Sequence, residues 1–141
     1  MLAVALMLNL LPTCPVQGWV TSEYGRRVHP VSGRVSFHEG IDIGNAEGTA
    51  LVSPWRGQVT TVTRASHAGL YLVVQYGDVS LKMAHLSRAD VQTGDTVDAG
   101  EELGHMGHSG RATGDHVHIE VRIDGRRVDP SFVRMLCDQL R

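Results

Sequence analysis

LYLVVQYGDVSLKMAH, residues 70–85, reads as two strands meeting across Gly77-Asp78, a two-residue turn able to adopt positive φ. Antiparallel pairing is the short route between strands so joined. Outward from this hairpin the same texture recurs. VSF (35–37), GQVTTVT (57–63) and HVHIEVRI (116–123) are short runs rich in β-branched residues and bounded by turn residues, with period-two alternation prevailing over the helical period. Sixteen glycines against two Phe and two Trp suit many tight turns between short strands. The expectation is a mainly β protein: a compact antiparallel sheet domain with a short C-terminal helix. That helix is signalled by Asp129 as cap, Pro130 in the first turn, and Phe132, Val133, Leu136 and Leu140 at roughly helical spacing.

A chain of 141 residues, 42% hydrophobic and 20% charged, fits one globular domain with a real core. The formal charge is −2, and no Lys/Arg stripe exists to track a phosphate backbone, which argues against nucleic acid as a partner. Residues 1–13 form an apolar N-terminal segment ahead of the domain at 14–141. Leu2 to Leu11 is broken only by Asn9, too short for the about 20 residues of a membrane span. It also lacks the basic start and small-residue cleavage site of a secretory signal. The expectation is a short apolar element docked on the body or on a larger assembly. Cys14 and Cys137 lie near opposite ends without CxxC spacing, a pattern open to a terminal staple or to two unrelated thiols, and the expectation leans to free thiols.

The chemistry is concentrated in HEGID (38–42), MAHL (83–86) and HVH (116–118). On a strand, His116, His118, Glu120 and Arg122 share one face and Val117, Ile119, Val121 and Ile123 the other. Two imidazoles on the polar face can converge on a cleft, one ligating a metal while its neighbour handles protons. In HEGID, Gly40 disfavours a helix, so His38 and Asp42 read as same-side positions of an extended segment. HEGID is therefore not the helical HExxH of zinc proteases, and Glu39 is discounted as a base. HIE lacks the PCxxC partner of a zinc deaminase. His85 falls in the alternating phase of Val79, Leu81 and Met83, where a hydrogen-bonded histidine at the core edge is a competing reading. His29, His67, His105 and His108 sit among Gly, Ser or Pro and read as loop residues, as do segments 93–100 and 107–115. The second of these, a glycine-rich loop running into HVH, is a candidate substrate wall.

From about Gly18 to Pro130 the chain resembles the lysostaphin-like (LytM-type) zinc endopeptidases that cut peptidoglycan. The likeness is carried in order by SEYGRRVHP, HEGIDIG, the GQV strand, MAHLS, QTGDTVDAGEELGHMGHSG and ATGDHVHIEVRIDGRRVDP. The resemblance implies a compact antiparallel β domain with a metal-site groove, one Zn²⁺ held at its floor by His38, Asp42 and His118, and His85 and His116 as the two catalytic histidines. Met83 stands where relatives carry Tyr, and Asp115 where Pro often precedes HxH; the turn around His67 to Tyr71 is also altered. These departures bear on groove shape rather than on the ligands.

The resemblance further implies a peptidoglycan hydrolase acting on stem peptides or cross-bridges outside the cytoplasm, as a periplasmic, secreted or virion-associated protein. His116 is then the base, and His85 the oxyanion donor or acid, in roles the two could exchange. Glu120 is a candidate to orient a ring on its own face, with a solvated surface carboxylate as the equal alternative, and Arg27 and His29 are read as structural. The competing class is a non-hydrolytic peptidoglycan-binding or regulatory module of the same fold.

Overall fold

The computed structural model describes residues 13–138; the apolar segment's docking and the place of Leu140 concern residues outside these. The strands are β1 (Trp19–Ser22), β2 (Gly25–Val28), β3 (Val35–His38), β4 (Ile41–Gly44), β5 (Ala50–Val52), β6 (Gly57–Ala65), β7 (Gly69–Tyr76), β8 (Val79–Ala89), β9 (Thr96–Val97), β10 (Glu102–Met106), β11 (His116–Ile123) and β12 (Arg126–Val128). One helix, α1 (Phe132–Asp138), follows. Ten strands form one sheet in the order β1-β4-β11-β8-β7-β6-β9, with β10 joining β5 and β8, and β12 joining β11; β2 and β3 pair separately. Every pairing is antiparallel. No helix among the described residues is long and apolar enough to cross a membrane.

The hairpin expected at 70–85 is β7–β8, with Tyr76 opposite Val79 and Leu72 opposite Met83. Gly77 closes it at φ 59 while Asp78 keeps a negative φ, the type II′ pattern that suits the twist of flanking strands. On β11 the alternation holds as read. Val117, Ile119 and Val121 are buried in the core with Ile41, Ile43, Leu81 and Met83, so the opposite face is free to carry His116, His118 and Glu120.

At His85 the alternation fails. His85 has φ 66, and between the Leu72↔Met83 and Leu70↔Leu86 pairs β8 spends three residues against two on β7. That extra residue is a β-bulge, which reverses the phase of side chains beyond it. Leu86 therefore takes over the core position, and β8 changes partner from β11 to β10. His85 does not share the face of Val79, Leu81 and Met83; the bulge turns it onto the face that carries His118.

Segments read as loops hold two further strands: β9 lies within 93–100 and pairs with β6, and β10 carries His105. Segment 107–115 contains no strand. The helix starts two residues later than expected, at Phe132, so Asp129, whose Oδ1 accepts the Ser131 amide at 2.9 Å, and Pro130 form the turn that leads into it rather than its cap and first turn. It closes one end of the sheet through buried Val133 and Cys137, with Phe132 near Trp55 at 6.4 Å between ring centroids. Trp55 in turn meets Tyr76 edge-on, and burial pushes the Tyr76 hydroxyl up to about 12 despite its bond to Ser53.

Cys14 and Cys137 are not free thiols. They form a disulfide, with Cα atoms 4.6 Å apart, because the segment entering β1 runs beside α1. The bridge closes a loop with a sequence separation of 123, long enough for chain entropy alone to supply about 4–5 kcal/mol, against a usual range of about 2–5 kcal/mol. A Cys14→Ser/Cys137→Ser protein should therefore lose about 2–5 kcal/mol of unfolding free energy in urea titrations. A midpoint that stays put would mean that the bridge contributes nothing.

Candidate metal centre

Three neighbouring strands and the end of a fourth bring the expected residues together. Asp42 on β4 lies directly across from His118 on β11, which lies across from Ala84, the residue before His85. His38, the last residue of β3, reaches the same place after a bend at Glu39-Gly40, so HEGID is not one extended segment but a turn between two sheets. Gly40 is needed there for a reason its sequence did not reveal. A Cβ would strike the Ile119 carbonyl and come within 2.9 Å of the His118 ring.

Each ring is held by a partner that decides which nitrogen faces the cleft. His38 Nδ1 donates to the Glu23 carbonyl at 2.8 Å, leaving Nε2 3.3 Å from Asp42 Oδ2. His116 Nδ1 donates to the Gly114 carbonyl at 3.0 Å, and His85 Nδ1 to the Ser109 carbonyl at 2.8 Å, so both keep a basic Nε2. His118 Nδ1 meets Asp42 Oδ1 at 2.7 Å and its Nε2 meets Glu120 Oε1 at 3.0 Å. Glu120 is itself buried, which makes it a fixed orienter rather than a solvated surface acid.

Charge follows from these contacts. Burial favours the neutral forms of His118 and Asp42, but their mutual hydrogen bond, joined by Glu120 on one and His38 on the other, outweighs it. His118 is pushed up to about 9 and Asp42 falls well below the ordinary carboxylate range. His85 moves the other way. Burial lowers it, the Ser109 carbonyl opposes that, and the neighbouring His116 and His118 rings lower it further.

One nitrogen or oxygen from each of His38, Asp42 and His118 lies within 4.8 Å of the others, with side chains only 14–17% exposed. His116 and His85 flank this group, their ring centroids 4.8 Å apart. Residues 36–130 match peptidase family M23. The chain belongs to that family.

Among relatives of this M23 chain, the peptidoglycan DD-endopeptidase ShyA of Vibrio cholerae is 37% identical over 105 residues, 74% of this chain and 24% of ShyA. A zinc-containing peptidase of Vibrio cholerae superposes with a TM-score of 0.78 at 34% identity, covering 84% of this chain and 39% of that one. The catalytic domain of EnpA, a prophage-encoded M23 protein of Enterococcus faecalis, superposes at 0.70 with 32% identity, covering 79% and 88%. The chain spans about a quarter of the length of the first curated relatives it matches.

Membership of the M23 family implies a metal, and the donor set fits one. Two imidazoles and a carboxylate are nitrogen and oxygen donors of the kind divalent zinc takes in open catalytic sites. Two other carboxylate–histidine clusters exist among the described residues, built on histidines read from the sequence only as loop residues. Exposed His108 pairs with Asp115 at 2.7 Å beside Glu47, and His105 sits 3.4 Å from Asp90 beside Glu102. At the latter, the Arg88 guanidinium already stands 2.8 Å from His105 Nε2 and opposes a cation. His29 caps its own turn by accepting the Val31 and Ser32 amides, and Arg27 bonds the Ser22 hydroxyl, contacts that tie both to the local backbone. Glu39 is engaged by Arg127 at 3.0 Å. His67, read as a loop residue, lines the same cavity as His85 and His118, together with Arg111 of the glycine-rich loop. No sequence spacing signalled these, nor the carbonyls of Glu23, Ser109 and Gly114.

Proposed function

We propose that this chain, over residues 14–141, is a zinc-dependent endopeptidase that hydrolyses peptide bonds in peptidoglycan stem peptides or cross-bridges outside the cytoplasm. The observation that carries this is the convergence of His38, Asp42 and His118 beside two further histidines whose Nε2 atoms remain free for proton transfer. His38, Asp42 and His118 would hold one Zn²⁺. When bound there, the ion supplies Lewis acidity, polarising the scissile carbonyl and lowering the pKa of water from 15.7 towards about 7.

The remaining steps belong to side chains of this protein. His116 keeps its proton at Nδ1 through Gly114, so its Nε2 takes the proton of the attacking water. His85, its Nδ1 held by the Ser109 carbonyl, acts through Nε2: once that atom has taken up a proton it gives it to the developing oxyanion or the leaving amine, and burial, which lowers the ring's pKa, makes it give the proton up readily. Glu120 fixes the His118 ring, and the Glu23 carbonyl fixes that of His38. The Cys14–Cys137 bridge supports an oxidising compartment and hence action outside the cytoplasm.

The test is metal analysis of the purified protein, followed by mass spectrometry of purified sacculi digested by it, one wall with D-alanyl–diaminopimelate links and one with glycyl bridges. New peptide termini that vanish on chelation and return with zinc are expected. A zinc-replete protein that binds either wall without releasing any fragment would instead support the non-hydrolytic module.

A further inference from the structure

The cleft continues past the metal-site residues as a charged groove. Two cavities, of about 290 and 260 Å³, share Lys82 and Glu120, so a single groove follows β8 and β11 from the His118–Ala84 pair to the Arg122–Ser80 pair. Its acids are already engaged. Glu120 is hydrogen-bonded to His118, and Glu39 to Arg127. Two of its cations make no ion pair: among the described residues no carboxylate lies within ion-pair distance of Lys82 or Arg111, both of which line the cavity holding His85 and His118, although Glu120 feels the Lys82 charge from farther off. The Lys82 ammonium rests over the Tyr71 ring, 4.5 Å from its centroid, which fixes its position while leaving its hydrogen-bond donors unused.

Position narrows what such a cation meets. Lys82 pairs with Glu120 one same-face step along the sheet from the His118–Ala84 pair. Same-face steps are about 7 Å, the reach of about two extended peptide residues. A peptide lying in the groove with its scissile bond at His85 and His116 would bring a group within about two residues of that bond to the ammonium. We propose that Lys82, assisted by Arg111, anchors a free carboxylate of the substrate peptide, and so selects stem peptides carrying that carboxylate over those in which it is a carboxamide. This rests on the endopeptidase reading above.

The experiment uses the zinc-loaded full chain and two synthetic cross-linked stem peptides differing only in carboxylate or carboxamide on the residue that donates the amine of the scissile bond. A charge-assisted contact at a partly exposed site should favour the carboxylate by about tenfold in kcat/KM, expressed mainly in KM. Lys82→Met should bring the ratio to within about threefold, Lys82→Arg should preserve it, and zinc content should not change in either. If Lys82→Met lowers both peptides alike, the lysine merely supports Glu120 and the anchor is overturned. Equal cleavage of both peptides by the unmodified protein also overturns the anchor but leaves the endopeptidase standing. Cleavage of neither peptide, nor of either kind of sacculus, overturns that reading and the anchor with it.

Discussion

A His116→Gln protein should keep its metal at the unmodified stoichiometry and lose turnover by roughly 10²–10⁴-fold, the contribution of a positioned proton-transfer group. The reason is geometric. His116 Nε2 stands 3.9 Å from Asp42 Oδ1, beside the three-residue donor group rather than within it, and its Nδ1 is tied to the Gly114 carbonyl. A glutamine amide can fill much of the ring's space and keep a polar atom in the cleft, but it cannot take up a proton near neutral pH. Zinc analysis and single-turnover cleavage of a defined stem peptide separate the two effects. Loss of zinc along with activity would make His116 a ligand. Full turnover would pass the base role to His85, whose Nε2 is equally free.

Much of this arrangement was legible in the sequence because the two faces of β11 differ so sharply. An apolar residue at Val117, Ile119 and Val121 leaves no choice about which side carries His116, His118 and Glu120, and Gly77-Asp78 left little choice about the β7–β8 hairpin. What escaped was set by partners distant in sequence. The phase of His85 depends on a bulge that exists only because β8 exchanges β11 for β10 as a neighbour, so strict alternation assigned the ring to the wrong face. The Cys14–Cys137 bridge depends on a closure across a separation of 123, with no local spacing to announce it. The ring-orienting carbonyls of Glu23, Gly114 and Ser109 are backbone groups, which every residue offers and no motif marks. Short β9 and β10 were concealed by Gly, Asp and Glu in and around them, residues depleted in strands.

His118→Ala should have the larger effect, because it acts on the metal and on the charges around it together. Structural zinc sites bind with about 10–16 kcal/mol over four ligands, so each ligand accounts for roughly 3 kcal/mol, or a factor of about 10² or more in affinity. The loss here goes further. His118 stands between the Asp42 and Glu120 carboxylates at 2.7 and 3.0 Å, and without it two poorly exposed acids face one another across the space the ring filled. The variant should purify without zinc, release no wall fragments, and show no rise in melting temperature at zinc concentrations that stabilise the unmodified protein. Glu120→Ala gives the graded comparison: it leaves the ring but removes its orienter, and a 10–100-fold loss of zinc affinity or activity is expected. Equal zinc affinity in His118→Ala and the unmodified protein would remove His118 from the ligand set, and the ion would then have to be sought among the other nitrogens of the cleft. A Glu120→Ala loss as deep as that of His118→Ala would mean that the carboxylate, rather than the ring it holds, carries the site.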